Sequence, residues 1–494
     1  MTLSKTNEKV LAELLERMKG RSVCVHDFWR FLMLCFNTPR PSTNYDGVDK
    51  PERSLPFRKV IREICAERGL IYREDQTGNM IISNFAVGEA RMCFQGHMDV
   101  VVSKNESEIH NFETEGVDVR LTEAGTVKPV KGITLGADNG VAIAAGLACL
   151  CNHGSVPLEL LVTTNEETSF DGACGLDVSL LTAKTILNLD SEVENAICVG
   201  SAGGFEEHFS VPVCFLKSST QDAICLQIKD LKGGHSGIDI GKEKSNAILI
   251  MMRLLLSAGD DVRIVSIQGG TSTNAIPREC TAILVGADLG RISTEFERIK
   301  LEIALVEDSV QLMVNSVVAS VVMDTESTHK VVRLLAALPN GVVRRSGSDV
   351  ESSLNLGIVQ TDLKNDTFEA KFLVRSTSSS WMRFYSKQLA AIGALVGAKV
   401  AENVGFFSAW EPLYTSRLLS DLKQTHAGTL AVYTVHAGLE CSTIMEKLAQ
   451  VGKLVECASI GPQIDHAHSP DECLFINSAI EFVEWIERLI GKTG

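Results

Sequence analysis

Basic charge is the first thing in short supply: 47 Lys and Arg stand against 62 Asp and Glu in 494 residues, a formal net charge of −15. Phosphate binding needs a basic face, so a nucleic-acid partner is not expected, whereas a cation partner suits the balance. Long apolar runs are missing too. Val141 to Cys151 and Ile248 to Leu256 are too short to cross a bilayer, and Arg253 interrupts the second, so no membrane segment is expected. MTLSKTNEKVLAELLERMKG has helical leucine spacing but no apolar region ahead of a small-residue cleavage site, which argues against secretion by that route. The fourteen cysteines run from Cys24 to Cys473 without a CxxC pair. That is unlike a secreted disulfide framework; the reading is a reducing cytoplasm, with most thiols acting as small core hydrophobes. Internal repeats and Pro- or Gly-rich linkers are also absent.

Hydrophobic residues make up 45% and charged residues 22%, which is ordinary globular usage. The length exceeds the roughly 250–300 residues at which one core stops growing, so at least two domains are expected. Met92 to Val102, Leu158 to Glu167 and Thr185 to Glu192 read as buried strands ending in polar residues, and Asp138 to Leu150 as an Ala-rich helix between two of them. Strands alternating with helices predict an α/β domain with ligands at the carboxyl ends of its strands. After Gly203-Gly204 the pattern changes to longer alternating segments, Ala223 to Leu231, Thr281 to Leu289 and Phe368 to Ser376. These predict antiparallel strands with one wet face. The helical texts AILIMMRLLLSAG and SKQLAAIGALVGAKV lie among them, so this region is α+β. The α/β style returns near Gly405 and closes on SAIEFVEWIERLIG. One domain inserted into another follows: 1–204 with 405–494 catalytic, and 205–404 inserted.

His97-Met98-Asp99 places two side chains on one side of a strand, so that one can ligate a metal while the other orients it. Alone, such a pair is more often a satisfied hydrogen bond. Here it has company: Asp138 where the helix begins, Glu166 and Glu167 ending one strand, Asp190 ending another, and His468 in AHSPDE. Carboxylates packed this densely repel unless cations hold them. Two divalent ions resolve the conflict. Mixed nitrogen and oxygen donors suit zinc, with manganese or cobalt as alternatives.

QGHMDVV, LGADNG, TTNEET with DGACGL, ILNLDSE, GGHSG, NAIPRE and AHSPDE occur in the order found in the dinuclear zinc aminoacylase and carboxypeptidase family. The chain resembles that family of metallopeptidases over nearly its whole length. The extended insertion and HAGLEC make it most similar to the Xaa-His dipeptidase branch. The resemblance implies a zinc-peptidase-like catalytic domain, with a mostly parallel mixed sheet flanked by helices, plus an inserted lid and dimerisation domain. It also implies a homodimer and a small peptide substrate.

Carried over residue by residue, the resemblance implies that His97 and Asp190 bind one metal, Glu167 and His468 the other, and that Asp138 bridges them. Asp99 would fix the His97 ring and Glu166 would be the general base. His235 in GGHSG would donate to the oxyanion, although its turn glycines also fit a plain turn histidine. Asn274 in NAIPRE is similarly placed by resemblance. Arg375 would grip the substrate carboxylate. In HAGLEC, Glu440 would receive the substrate amine and Gly438 would offer backbone contacts; His436 there reads equally as a core or turn residue. His466 competes with His468, and AHSPDE favours His468. Asn165 stands where the family carries Asp, removing a charge beside Glu166, and Ser169-Phe170 replaces the usual Gly-Met. Hydrolysis of dipeptides is the implied activity; deacylation of N-acyl amino acids and a catalytically silent binding or assembly role are the alternatives.

Overall fold

The computed structural model describes residues 3–492. Two compact units emerge, one of residues 1–200, 412–433 and 440–494, the other of residues 201–411 and 434–439.

The first unit is organised by an eight-stranded mixed sheet in the order Ile71–Glu74, Met80–Ser83, Leu158–Thr163, Met92–His97, Thr185–Asn188, Glu456–Ser459, Ala196–Ser201, Ala431–Val435. Its centre is parallel: Met92–His97 runs with Leu158–Thr163 on one side and Thr185–Asn188 on the other, and Glu456–Ser459 runs with Thr185–Asn188. Antiparallel strands flank these four. The three strands whose carboxyl ends lead to His97, Glu166 with Glu167, and Asp190 are therefore immediate neighbours.

Each of those strands stops short of its apolar text, for a local reason. Leu158–Thr163 ends before Asn165, which turns the chain with φ 56°, a conformation Asn tolerates better than most residues. Met92–His97 ends at His97, where the chain leaves the sheet toward Asp99. Helix Ala137–Asn152 is buried over almost its entire length, which explains its Ala-rich text: small side chains let it approach the sheet. Gly96 completes that approach, because a Cβ there would lie 2.2 Å from Asn139 Oδ1 and 2.4 Å from Ala142 Cβ. Helices Lys5–Arg17, Val23–Asn37 and Ile476–Lys492 share the same core through Leu14, Phe28, Trp29, Phe482 and Trp485. Burying each large apolar side chain contributes on the order of 1.5–3 kcal/mol.

The second unit is built on a nine-stranded sheet in the order Gln311–Met323, Phe215–Lys229, Cys280–Val285, Arg263–Gly269, Asp349–Asp362, Thr367–Ser376, Gly203–Pro212, Lys399–Phe407, with Gly341–Ser346 paired to Asp349–Asp362. Its strands pair antiparallel. Helices Ala247–Ser257, Leu289–Ile303, Thr325–Ala337 and Ser379–Leu395 supply residues to its separate core, with Leu254, Ile292, Leu334 and Leu389 buried there. The text SKQLAAIGALVGAKV, expected to be helical, divides: the helix ends at Leu395, Gly397 turns the chain with φ 71°, and a strand opens at Lys399. Only glycine takes that φ without penalty.

Candidate metal and catalytic centre

The first unit gathers its ionisable groups around Asp138. His97 Nε2 lies 3.2 Å from Asp138 Oδ1 and 3.3 Å from Asp190 Oδ1. On the other side, His468 Nε2 lies 2.9 Å from Asp138 Oδ2 and 3.1 Å from Glu167 Oε2. The two oxygens of one carboxylate thus face two different donor sets. Donors about 2.0–2.2 Å from one tetrahedral zinc stand about 3.3–3.5 Å apart; the His97 set, at 3.2 and 3.3 Å, comes close to that spacing, and the His468 set, at 2.9 and 3.1 Å, is drawn in to hydrogen-bond length. Asp190 Oδ1 is buried with no hydrogen-bond partner among the described residues, an acceptor without a donor that a cation would satisfy. The residues fit two divalent ions. His466, exposed and two positions away, is not part of this arrangement; the ring that reaches Asp138 belongs to His468.

The positioning of these groups is mostly backbone chemistry. His97 Nδ1 is 3.0 Å from the Asp99 carbonyl oxygen, to which it donates, leaving Nε2 turned toward Asp138 and Asp190. The Asp99 carboxylate is 3.6 Å from that ring and is used elsewhere. It accepts the backbone N–H of Glu166 at 3.0 Å, the N–H of Glu167 at 3.3 Å and the Ser42 hydroxyl at 2.7 Å. Asp99 therefore sets the two glutamates as well as the histidine. Asn165 exchanges two hydrogen bonds with Thr43, accepting its N–H at 2.8 Å and donating Nδ2–H to its hydroxyl at 2.6 Å. An aspartate at this position would lack that amide donor, which gives the departure from the family pattern a structural role.

Two further carboxylates belong to the centre and escaped the sequence reading. Glu472 is fully buried and accepts the backbone N–H groups of Leu135, Gly136, Ala137 and Asp138 at 2.8–3.2 Å, tying down the turn that presents Asp138. Glu192 offers an oxygen to the same cluster as Asp138 and His468. Glu192 ends ILNLDSE and Glu472 ends AHSPDE, yet neither has a spacing that separates it from ordinary acidic residues.

Protons hold this cluster together when metal is absent. Burial opposes the charge on His97, but Asp190, Asp138 and Asp99 around it push its pKa well above the ordinary imidazole range. Hydrogen bonds to Asp138 and Glu167 push His468 up to about 11. Burial raises Asp190 to about 6, Glu192 to about 8 and Glu440 to about 8, and it lifts Glu166 well above the usual carboxylate range. All these groups keep their protons to higher pH in the folded chain than in the unfolded one. The metal-free fold binds the extra protons, so its stability falls as pH rises. Asp138, lowered by its two histidines against its burial, works in the opposite sense only below the ordinary aspartate value. The melting temperature of metal-free protein is expected to fall from pH about 6 to pH about 9, and divalent metal should flatten the trend by replacing those protons. A melting temperature that rises with pH in the metal-free protein would contradict this reading.

Glu440 is buried in the first unit, its Oε2 accepting from Gln95 Nε2 at 2.9 Å and from the Thr163 hydroxyl at 2.6 Å. Its Oε1 has no hydrogen-bond partner among the described residues.

The second unit holds the remaining candidates. His235 sits in a two-stranded pairing with Ala275–Ile276. Its Nδ1 accepts from the N–H of Gly237 at 3.3 Å and of Ile238 at 3.2 Å, which leaves the ring proton on Nε2 as a free donor. Burial, followed by the nearby Arg375 charge, lowers its pKa and keeps the ring neutral. Arg375 is buried at 7% exposure, makes no ion pair among the described residues, and has an unpartnered Nε; burial lowers it to about 10. His436 is a buried partner of the Ser353 hydroxyl at 2.7 Å, and burial, then Arg375, lowers it to about 3. Asn274 is exposed, its side-chain oxygen accepting from the Ser272 hydroxyl at 2.6 Å and its carbonyl from Ser236 N–H at 2.7 Å. Gly438 lies half-buried in the loop after strand Ala431–Val435.

Residues 227–285 match the M20 peptidase dimerisation domain. The structure of aminoacylhistidine dipeptidase from Vibrio alginolyticus superposes with a TM-score of 0.83 at 29% identity, covering 94% of this chain and 96% of that one. A tripeptidase from Staphylococcus aureus, 14% identical with a TM-score of 0.52 over 95% of this chain and 98% of its own, shares the fold. The cytosol non-specific dipeptidase of Escherichia coli (strain K12) is 34% identical over 457 residues, 86% of this chain and 91% of that protein. Similarity of that extent, over a chain that gathers two donor sets around one aspartate, makes this protein a member of the M20 peptidase family.

Proposed function

We propose that this protein is a cytoplasmic dinuclear metallopeptidase that hydrolyses dipeptides carrying a free amine and a free carboxylate. The observation that carries the reading is the division of Asp138, one oxygen toward His97 and Asp190 and the other toward His468 and Glu167. Zinc suits this mixture of imidazole and carboxylate donors. Two ions held there would acidify a shared water and polarise the scissile carbonyl.

The chain's own groups supply the remaining functions. Glu166 takes a proton from the attacking water and returns it to the leaving amine; its high pKa in the metal-free state reflects a dry site, suited to a group that must carry a proton. Asp99 holds Glu166 and Glu167 by their backbone, so adjacent glutamates serve different roles without exchanging them. His235 donates its Nε2–H to the developing oxyanion, Arg375 receives the substrate carboxylate, and Glu440 receives the substrate amine at its unpartnered oxygen. Asn274 and Gly438 border the substrate. Comparison of a dipeptide with its N-acetylated form tests this: the free dipeptide should be hydrolysed and the acetylated one refused. A preference for the blocked amine would make the protein an N-acyl amino acid deacylase, and no turnover of either by metal-loaded protein would leave a binding role.

The edge strand Gln311–Met323 exposes Met313, Val314 and Val318 beside the matched dimerisation segment. Apolar side chains along an unpaired edge favour pairing with another strand. A homodimer is accordingly proposed, and sedimentation equilibrium should give twice the chain mass; a monomer at micromolar concentration would refute it.

A further inference from the structure

At the end of helix Ala137–Asn152 opposite Asp138, a second group of metal-ligating side chains assembles. Cys149 there lies near the far end of the helix that Asp138 opens. Cys24 of helix Val23–Asn37, His153 at the end of helix Ala137–Asn152 and Glu487 of helix Ile476–Lys492 bring sulfur, nitrogen and oxygen within 4.8 Å of one another. His153 Nε2 lies 3.6 Å from Glu487 Oε1 and is buried with no hydrogen-bond partner among the described residues. Cys149, one helical turn before His153, places its Sγ 3.9 Å from Cys24 Sγ. The other Glu487 oxygen accepts from the Ser22 hydroxyl at 2.6 Å, so an outer partner already fixes that carboxylate, as it does for many metal ligands.

These spacings match a ligand shell. With zinc–nitrogen or –oxygen bonds of about 2.0–2.2 Å, tetrahedral geometry sets a nitrogen and an oxygen about 3.3–3.5 Å apart, close to the 3.6 Å between His153 Nε2 and Glu487 Oε1; Cys149 stands outside this three-residue group and meets it through Cys24. The alternative, a plain ion pair of His153 with Glu487, is at 3.6 Å longer than a hydrogen bond and leaves the buried imidazole nitrogen poorly satisfied, which costs free energy. A nucleophilic thiol aided by histidine and glutamate is a poorer account, because Cys24 is 1% exposed. A single ion has an easier route, past the side chains of His153 and Glu487, which keep 23% and 20% exposure.

We propose that Cys24, His153 and Glu487 form a third metal site, selective for a thiolate-binding divalent ion such as zinc, with its fourth position bordered by Cys149. The ion clamps together the helices that follow Ser22, carry Asp138 and close the chain, and it is structural. Thiolate ligation also separates this site from the catalytic centre, whose donors are all nitrogen and oxygen.

That difference supplies the test. Full-length protein is stripped of metal and reloaded with cobalt(II). Wild type is expected to show a near-ultraviolet thiolate-to-cobalt charge-transfer band and three cobalt ions per chain. Cys24→Ser and His153→Gln should each lose the band and one ion, whereas His97→Ala, which damages only the other centre, should keep the band. Thermal melting of each variant checks folding; if Cys24→Ser fails to fold, the partly exposed His153 carries the test. Absence of the band from wild type overturns the proposal. So does a band that survives both Cys24→Ser and His153→Gln, since it would then arise from an exposed thiol such as Cys174 or Cys214.

Discussion

Replacing Glu166 with glutamine is expected to lower kcat by about 10²–10⁴-fold, the usual contribution of a positioned general base, while metal content and KM stay near wild type. The substitution keeps the backbone N–H that Asp99 accepts, so the loop retains its anchor and only the proton-carrying oxygen is lost. Glu167→Gln should behave differently. Its carboxylate is 3.1 Å from His468 Nε2 within a donor set, and its loss should lower metal content together with rate. Metal analysis beside steady-state kinetics separates the two outcomes. If Glu166→Gln loses metal and Glu167→Gln keeps it, the roles of the adjacent glutamates are exchanged; full activity in Glu166→Gln would remove the base assignment altogether.

That division of labour shows which part of the centre could be read from sequence. His97, Asp138, Asp190 and the Glu166-Glu167 pair end strands or open a helix in an α/β pattern, and parallel topology gathers such ends on one edge of the sheet. Period and punctuation sufficed for that. The roles of Asp99 toward Glu166 and of Glu472 toward the Asp138 turn were not legible, because both carboxylates recognise backbone N–H groups, and backbone leaves no trace in side-chain text. The same limit hid the return of residues 434–439 to the second unit, a six-residue excursion with no composition of its own. Strand ends were overread for a related reason: apolar residues such as Val100 stay buried after the chain leaves the sheet, so hydrophobicity marks burial rather than pairing.

Arg375→Met is expected to make the protein more stable and much less active. In the wild-type fold a guanidinium at 7% exposure has no carboxylate partner among the described residues, and burial already pulls its pKa down to about 10. Exchanging a buried charge for an apolar side chain of similar length is often stabilising, here by about 1–2 kcal/mol, a rise of a few degrees in melting temperature. A charge held at such expense is explained if substrate supplies the missing carboxylate. Removing one partner of a desolvated charge pair costs about 2–5 kcal/mol of binding, so kcat/KM for a dipeptide should fall by at least about 30-fold. The substrate gives the complementary deletion. A dipeptide amide lacks the carboxylate, and wild type should discriminate against it about as strongly as Arg375→Met discriminates against the free acid. If arginine and carboxylate are partners, the two losses do not add: the variant should hydrolyse acid and amide at similar kcat/KM. A variant that still prefers the free acid by the wild-type factor would assign the substrate carboxylate to another residue and leave the buried charge of Arg375 a structural matter.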